Sequence, residues 1–169
     1  MSSERPVVVV GVDGSEESAE ALCWAVGYAR RTGGRVRAVM AWRQPVYGYS
    51  SYAGVAMVFP DTQDPAEVAR ESLGRLVTDV VGDSQWPPIQ QVVLEGHPAG
   101  VLVEQSKSAD LLAVGARGHG AFTDLLIGSV SNHCVHHAAC PVLVVRRHQE
   151  LSPTVPAPDD AASVETARV

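Results

Sequence analysis

The chain has 169 residues, 46% of them hydrophobic, and a formal net charge of −6. That length suits one domain with a sizeable core. The acidic balance argues against a general nucleic-acid or anionic-membrane surface, both of which need a basic patch, but it leaves room for a phosphate held locally by backbone amides.

The first residues, Met1-Ser2-Ser3-Glu4-Arg5-Pro6, lack the basic-then-apolar order of a signal peptide, and no apolar run is long enough to span a membrane. Three cysteines, Cys23, Cys134 and Cys140, form no CxxC pair. Reduced thiols and a cytoplasmic location are therefore expected.

Taken in chain order, five apolar runs alternate with helical patterns. The first run, Val7–Val12, leads into Gly11-Val12-Asp13-Gly14-Ser15. A helix follows over 16–31, with Ala19, Leu22, Val26 and Ala29 at helical spacing and Glu16 and Glu17 in the acid-favouring first turn. The second run is 36–42 and ends on Trp42, which is expected to lie beside a bound ligand. Residues 43–64 carry Tyr47, Tyr49 and Tyr52 among glycines and prolines. A loop of that length is either a lid or a floppy insertion. A helix over Pro65–Val81 places Ala69, Leu73, Leu76 and Val80 on one face, with Pro65 at a favoured first position. A run at 89–94, a short helix from Pro98 and a run at 111–114 come next. A helix over 129–139, halted by Pro141, precedes the last run, Val142–Val145. Residues 149–169 are rich in Pro, Ala and Asp without periodicity and are expected to be disordered. The organisation predicted is one domain over 1–148, with a long loop at 43–64, and a tail over 149–169.

Continuous apolar strands alternating with helices predict an α/β fold, a parallel sheet with helices on both faces. Such sheets bind ligands where the strand order reverses. The glycine-marked strand exits follow the first and fourth strands, which favours the order 3-2-1-4-5 over 2-1-3-4-5.

The chemistry concentrates after the fourth strand. Gly115-Ala116-Arg117-Gly118 is followed, nine residues later, by Gly128-Ser129-Val130-Ser131 at the start of a helix. Glycines past a strand let the backbone approach a bound group, and a Gly-Ser helix start offers unpaired N–H groups and the positive dipole end to phosphate. The alternative is a glycine-rich turn and an ordinary N-cap. Asp13 ends the first strand, where a carboxylate can accept from ribose hydroxyls, hold a divalent ion, or simply cap the next helix. Arg117 and His119 can meet phosphate oxygens or lie in solvent. Neither G-x-x-x-x-G-K-[ST], G-x-G-x-x-G after the first strand, nor G-x-S-x-G is present. This argues against P-loop, dinucleotide-binding and α/β-hydrolase chemistry. His133, Cys134, His136, His137 and Cys140 raise the question of zinc, since His133 and His137 share a helix face, but no distant ligand pair accompanies them and a buried thiol with surface histidines is the commoner arrangement.

These residues resemble the universal stress protein family, in its single-domain, ATP-binding branch. The likeness runs from Pro6 to Arg147 and rests on three elements. The first is G-x2-G-x9-G-[ST] at Gly115, Gly118, Gly128 and Ser129. The second is the opening Val10-Gly11-Val12-Asp13-Gly14-Ser15, and the third the ending Cys140-Pro141-Val142-Leu143-Val144-Val145. The resemblance implies a Rossmann-like, adenine-nucleotide-binding sheet of order 3-2-1-4-5, with ATP, accompanied by Mg or Mn, at the switch point. By position, Val12 and Asp13 should lie at adenine and ribose, with Asp13 also the metal ligand. Ala41 and Val114 should lie near the adenine. Gly115, Gly118, Gly128, Ser129, Val130 and Ser131 should line the ribose and phosphates. A homodimer is implied too, and the apolar edge Val142, Leu143, Val144 and Val145 suits it, unless the tail covers that edge. No nucleic-acid or membrane partner is expected. The implied function is ATP-binding regulation of a stress response. A slow ATP hydrolase and a dimerisation module that binds nothing are the alternatives.

Overall fold

Valine-rich segments build the centre of the sheet, because β-branched side chains pack well on a pleated surface buried on both faces. The computed structural model describes residues 5–43, 64–82, 84, 86–118 and 127–146. The expected loop, apart from its ends Arg43 and Asp64, lies outside the described residues, as do His119 and the 149–169 tail.

The elements are β1 (Val7–Val12), α1 (Glu16–Thr32), β2 (Arg35–Trp42), α2 (Pro65–Val81), β3 (Ile89–Glu95), α3 (Pro98–Ser106), β4 (Leu111–Gly115), α4 (Ser129–His137) and β5 (Val142–Val145). The sheet order is β3-β2-β1-β4-β5, with every pair parallel, as the positions of the glycine-marked exits predict. The register sets Val8 beside Val36 on one side and Leu111 on the other.

Side-chain alternation sorts the core into two layers. Val8, Val10, Val12, Ala38 and Met40 pack under α1 and α2 with Leu22 and Leu73, both fully buried. Val7, Val9, Val39, Leu112 and Val114 face the other way, toward Leu102 of α3 and Cys134 of α4. Each fully buried leucine contributes about 1.5–3 kcal/mol of burial free energy. Trp42 packs against the α1–α2 layer, so the expectation that it flanks a ligand is corrected. It falls one residue after Ala41, and in a strand successive side chains point to opposite faces.

Local signals explain the helix ends. Ser15 is the N-cap of α1, its side chain accepting from Ser18 N–H at 3.2 Å, and Gly33 closes the helix in the left-handed region at φ 70°. Asp64 caps α2 through the Ala66 amide at 3.0 Å, with Pro65 at the first position. His97 caps α3, Nδ1 accepting from Ala99 N–H at 3.3 Å. The last helix stops at His137 rather than at 139, because Ala138 is already extended at ψ 147° and Ala139 N–H donates instead to the buried Ser106 Oγ at 2.8 Å. Gly115, expected just past the fourth strand, is its last residue and pairs with Val145.

Candidate functional site

The strand order reverses between β1 and β4, and at their carboxyl ends a cavity of about 590 Å³ opens. Its lining includes all ten residues singled out in the sequence: Val12, Asp13, Ala41, Val114, Gly115, Gly118, Gly128, Ser129, Val130 and Ser131. It also includes Gly11, Ser18, Val39, Pro98, Leu102 and Arg117. Val39 was legible in principle, since it sits two residues from Ala41 on the same strand face. Pro98 and Leu102 were not, because only the docking of α3 against the sheet brings them to the cavity.

The walls divide by chemistry. Val39, Ala41, Leu102, Val114 and Val130 form an apolar side, suited to a flat apolar ring. Gly11 makes this wall possible. A Cβ there would come within 2.6 Å of Leu102 Cδ1, so a larger residue would have to displace the Leu102 side chain.

Asp13 is exposed at the end of β1. Its Oδ1 accepts from Ser15 N–H at 3.0 Å and Ser15 Oγ at 2.6 Å. The capping of α1 therefore falls to Ser15, and Asp13 holds the turn that presents it. Across the cavity mouth, Gly118 runs against Asp13 Oδ2 so closely that a Cβ would collide with the carboxylate.

The α4 end is built differently from the other helix starts. Gly128 is its N-cap, with no side-chain hydrogen bond to the first turn. A helix start leaves its first amides without intrahelical partners, and the dipole adds partial positive charge there. Gly128 N–H donates to Ala116 O at 2.7 Å, which ties this start to the β4 exit. A Cβ on Gly128 would lie 3.4 Å from Ala116 O and 3.5 Å from Arg117 Cα. Ser131 is buried and donates from Oγ to Gly115 O at 2.5 Å, so its hydroxyl serves the scaffold. Gly115 lines the cavity and also admits the first turn of α1, since a Cβ there would meet the Glu17 backbone at 2.9 to 3.0 Å. Arg117 is not a bare solvated loop residue: its Nε meets Glu17 Oε1 at 3.1 Å.

The histidine–cysteine cluster separates into core and surface. Cys134 is fully buried, and burial pushes its thiol up to about 11. Burial, with Asp110 nearby, also raises Cys140. His133, His136 and His137 are exposed. Among the described residues no three of His, Cys, Asp and Glu are grouped to hold a metal ion, and no helix is long and apolar enough to cross a membrane.

The model of the universal stress protein family matches residues 5–146. Universal stress protein Rv2005c of Mycobacterium tuberculosis is 36% identical over 143 residues, which cover 83% of this chain and 45% of that protein. The chain thus spans about half the length of such relatives. Among solved structures, the universal stress protein UspA from Lactobacillus plantarum superposes with a TM-score of 0.65 at 22% identity, covering 85% of this chain and 99% of that one. A universal stress protein in complex with cAMP gives a TM-score of 0.61 at 25% identity, covering 85% and 98%. With the G-x2-G-x9-G-S residues gathered around one cavity at the switch point of a 3-2-1-4-5 sheet, the chain belongs to the universal stress protein family.

Proposed function

We propose that this protein is a cytoplasmic, ATP-binding regulator of a stress response that acts as a homodimer. The observation that carries the reading is a single juxtaposition. An N-terminus of α4 without a side-chain cap and the Asp13 carboxylate border the same cavity, with Gly118 between them and an apolar wall behind. Phosphates suit the helix start, ribose hydroxyls suit the carboxylate, and adenine suits the wall. The cavity size is that of a small-molecule site. A relative that binds cAMP makes an adenine nucleotide the natural class.

In this reading Val12, Ala41 and Val114 border adenine and Asp13 accepts from ribose. Gly115, Gly118, Gly128, Ser129, Val130 and Ser131 surround the ribose and phosphates. Asp13 would hold Mg or Mn, since one protein carboxylate beside substrate phosphates is a usual magnesium arrangement. The ion would offset phosphate charge beside an acidic residue. The dimer would form through the outer edge of β5.

Calorimetry of the full chain with ATP and Mg²⁺, beside a phosphate-release assay, tests this. Saturable binding with turnover far below enzyme rates of about 1 per second is expected. Binding with turnover at or above that rate would replace regulation by hydrolysis. No heat, and no adenine nucleotide co-purifying by mass spectrometry, would leave a module that binds nothing.

A further inference from the structure

Arg117 is the one basic residue lining the cavity among the described residues. Its stem begins beside the α4 N-cap, because the Cβ position of Gly128 lies 3.5 Å from Arg117 Cα. Its head reaches back to α1, where Nε donates to Glu17 Oε1 at 3.1 Å. That contact uses one edge of the guanidinium. The Nη donors have no acceptor among the described residues.

The two partners are unequally anchored. The Glu17 side chain is 14% exposed and the Arg117 side chain 43%. Glu17 sits in the first turn of α1, where the helix dipole favours a carboxylate. Its backbone is seated against Gly115 of β4. An exposed arginine otherwise samples many rotamers, and ordering it costs entropy. An acceptor fixed to the scaffold makes that ordering part of the fold.

We propose that Glu17 is a positioning residue. It holds Arg117 by Nε so that the Nη donors take the outer phosphates of a nucleoside polyphosphate. This rests on the reading that the cavity binds ATP. The α4 amides border the cavity directly, whereas Arg117 stands at its rim, so the guanidinium serves phosphates that extend toward solvent. The Glu17–Arg117 pair is neutral overall, so it supplies directed hydrogen bonds rather than net attraction. A planar fork can bridge carboxylate and phosphate at once; an ammonium cannot reproduce that geometry. The pair therefore separates nucleotides by phosphate number, favouring ATP over AMP.

The test is calorimetry of the full chain with Mg²⁺ and either ATP or AMP. Arg117→Gln should weaken ATP by about tenfold, the size of one hydrogen bond to a charged group, with AMP changing less than about twofold. Glu17→Ala should reproduce most of that loss, and the double variant should lose no more than Arg117→Gln alone, as expected of residues acting as a unit. Arg117→Lys, a surface change that keeps charge and fold, should behave like Arg117→Gln. Additive losses, full ATP affinity in Arg117→Lys, or tighter ATP binding by Glu17→Ala would each overturn the positioning role while leaving the ATP site intact. Failure of the unmodified chain to bind either nucleotide would overturn the ATP reading and this proposal with it.

Discussion

The missing side chain of Gly118 faces the carboxylate of Asp13 with no space for a Cβ between them. Ser15 holds Asp13 Oδ1 with both hydroxyl and amide, so a shift of the carboxylate disturbs those contacts. The loop after β4 and the turn after β1 thus meet across the cavity mouth through one glycine and one carboxylate. Gly118→Ala should displace the carboxylate, which is the far end of a side chain, and leave the fold standing. We expect a melting temperature within about 4 °C of the parent, a shift worth roughly 1 kcal/mol or less. ATP affinity should fall by about tenfold or more, the scale of a lost charge-assisted hydrogen bond. Unchanged affinity by calorimetry would separate this contact from the binding site.

Gly115→Ala should do the opposite. Its Cβ would press on the Glu17 backbone at 2.9 to 3.0 Å, and backbone at a helix start yields less readily than a side chain. Overpacking of this kind costs about 1–3 kcal/mol. A lowered urea midpoint with an unchanged m-value is the expected result. An unchanged midpoint would mean that α1 slides freely over β4.

Proline at Val144 tests the dimer. Leu112 N–H donates to Pro141 O at 2.9 Å and Ala116 N–H to Val145 O at 2.6 Å. The odd positions of β5 therefore face β4, and the backbone of Val142 and Val144 faces the outer edge. Val144→Pro removes an outward donor while sparing the β4 ladder. The parent chain should run as a dimer and the variant as a folded monomer by light scattering with circular dichroism. A parent that is monomeric at about 50 μM, well above the range for stable interfaces, sinks the proposed pairing.

Cys134 predicts an alkaline weakness. Its thiol is raised from 9.0 to about 11 by burial, so the native state keeps a proton that the unfolded state releases first. Stability from this group is fully present below about pH 9 and declines as pH rises toward 11, by up to about 2–3 kcal/mol. Cys134→Ala should flatten that decline in urea titrations at pH 8 to 10.5, whatever it does at neutral pH. A slope equal to the parent's would show that other groups control it.

The sheet was legible because its determinants are local. Apolar runs such as Val7–Val12 can be buried on both faces only in a helix-covered sheet, and caps such as Ser15 and Asp64 mark helix starts within a few residues of themselves. Strand order was legible for one further reason: the glycine-rich exits flag β1 and β4 as neighbours at a switch point. The ten residues singled out in the sequence meet at one cavity because β1, β2, β4 and α4 bring them to the same end of the sheet. What each glycine does was not legible. Gly115 and Gly118 look equivalent in the chain, yet one admits Glu17 and the other faces Asp13. Nor did any spacing join Glu17 to Arg117, a hundred residues apart, or turn Trp42 away from the cavity while Ala41 lines it. Periodicity and capping act over a few residues, so the sequence alone determined the elements, their order and the end of the sheet where the cavity opens. Contacts between α1 and the β4 exit exist only once the sheet is assembled, so tertiary structure alone decided which side chain each site residue meets.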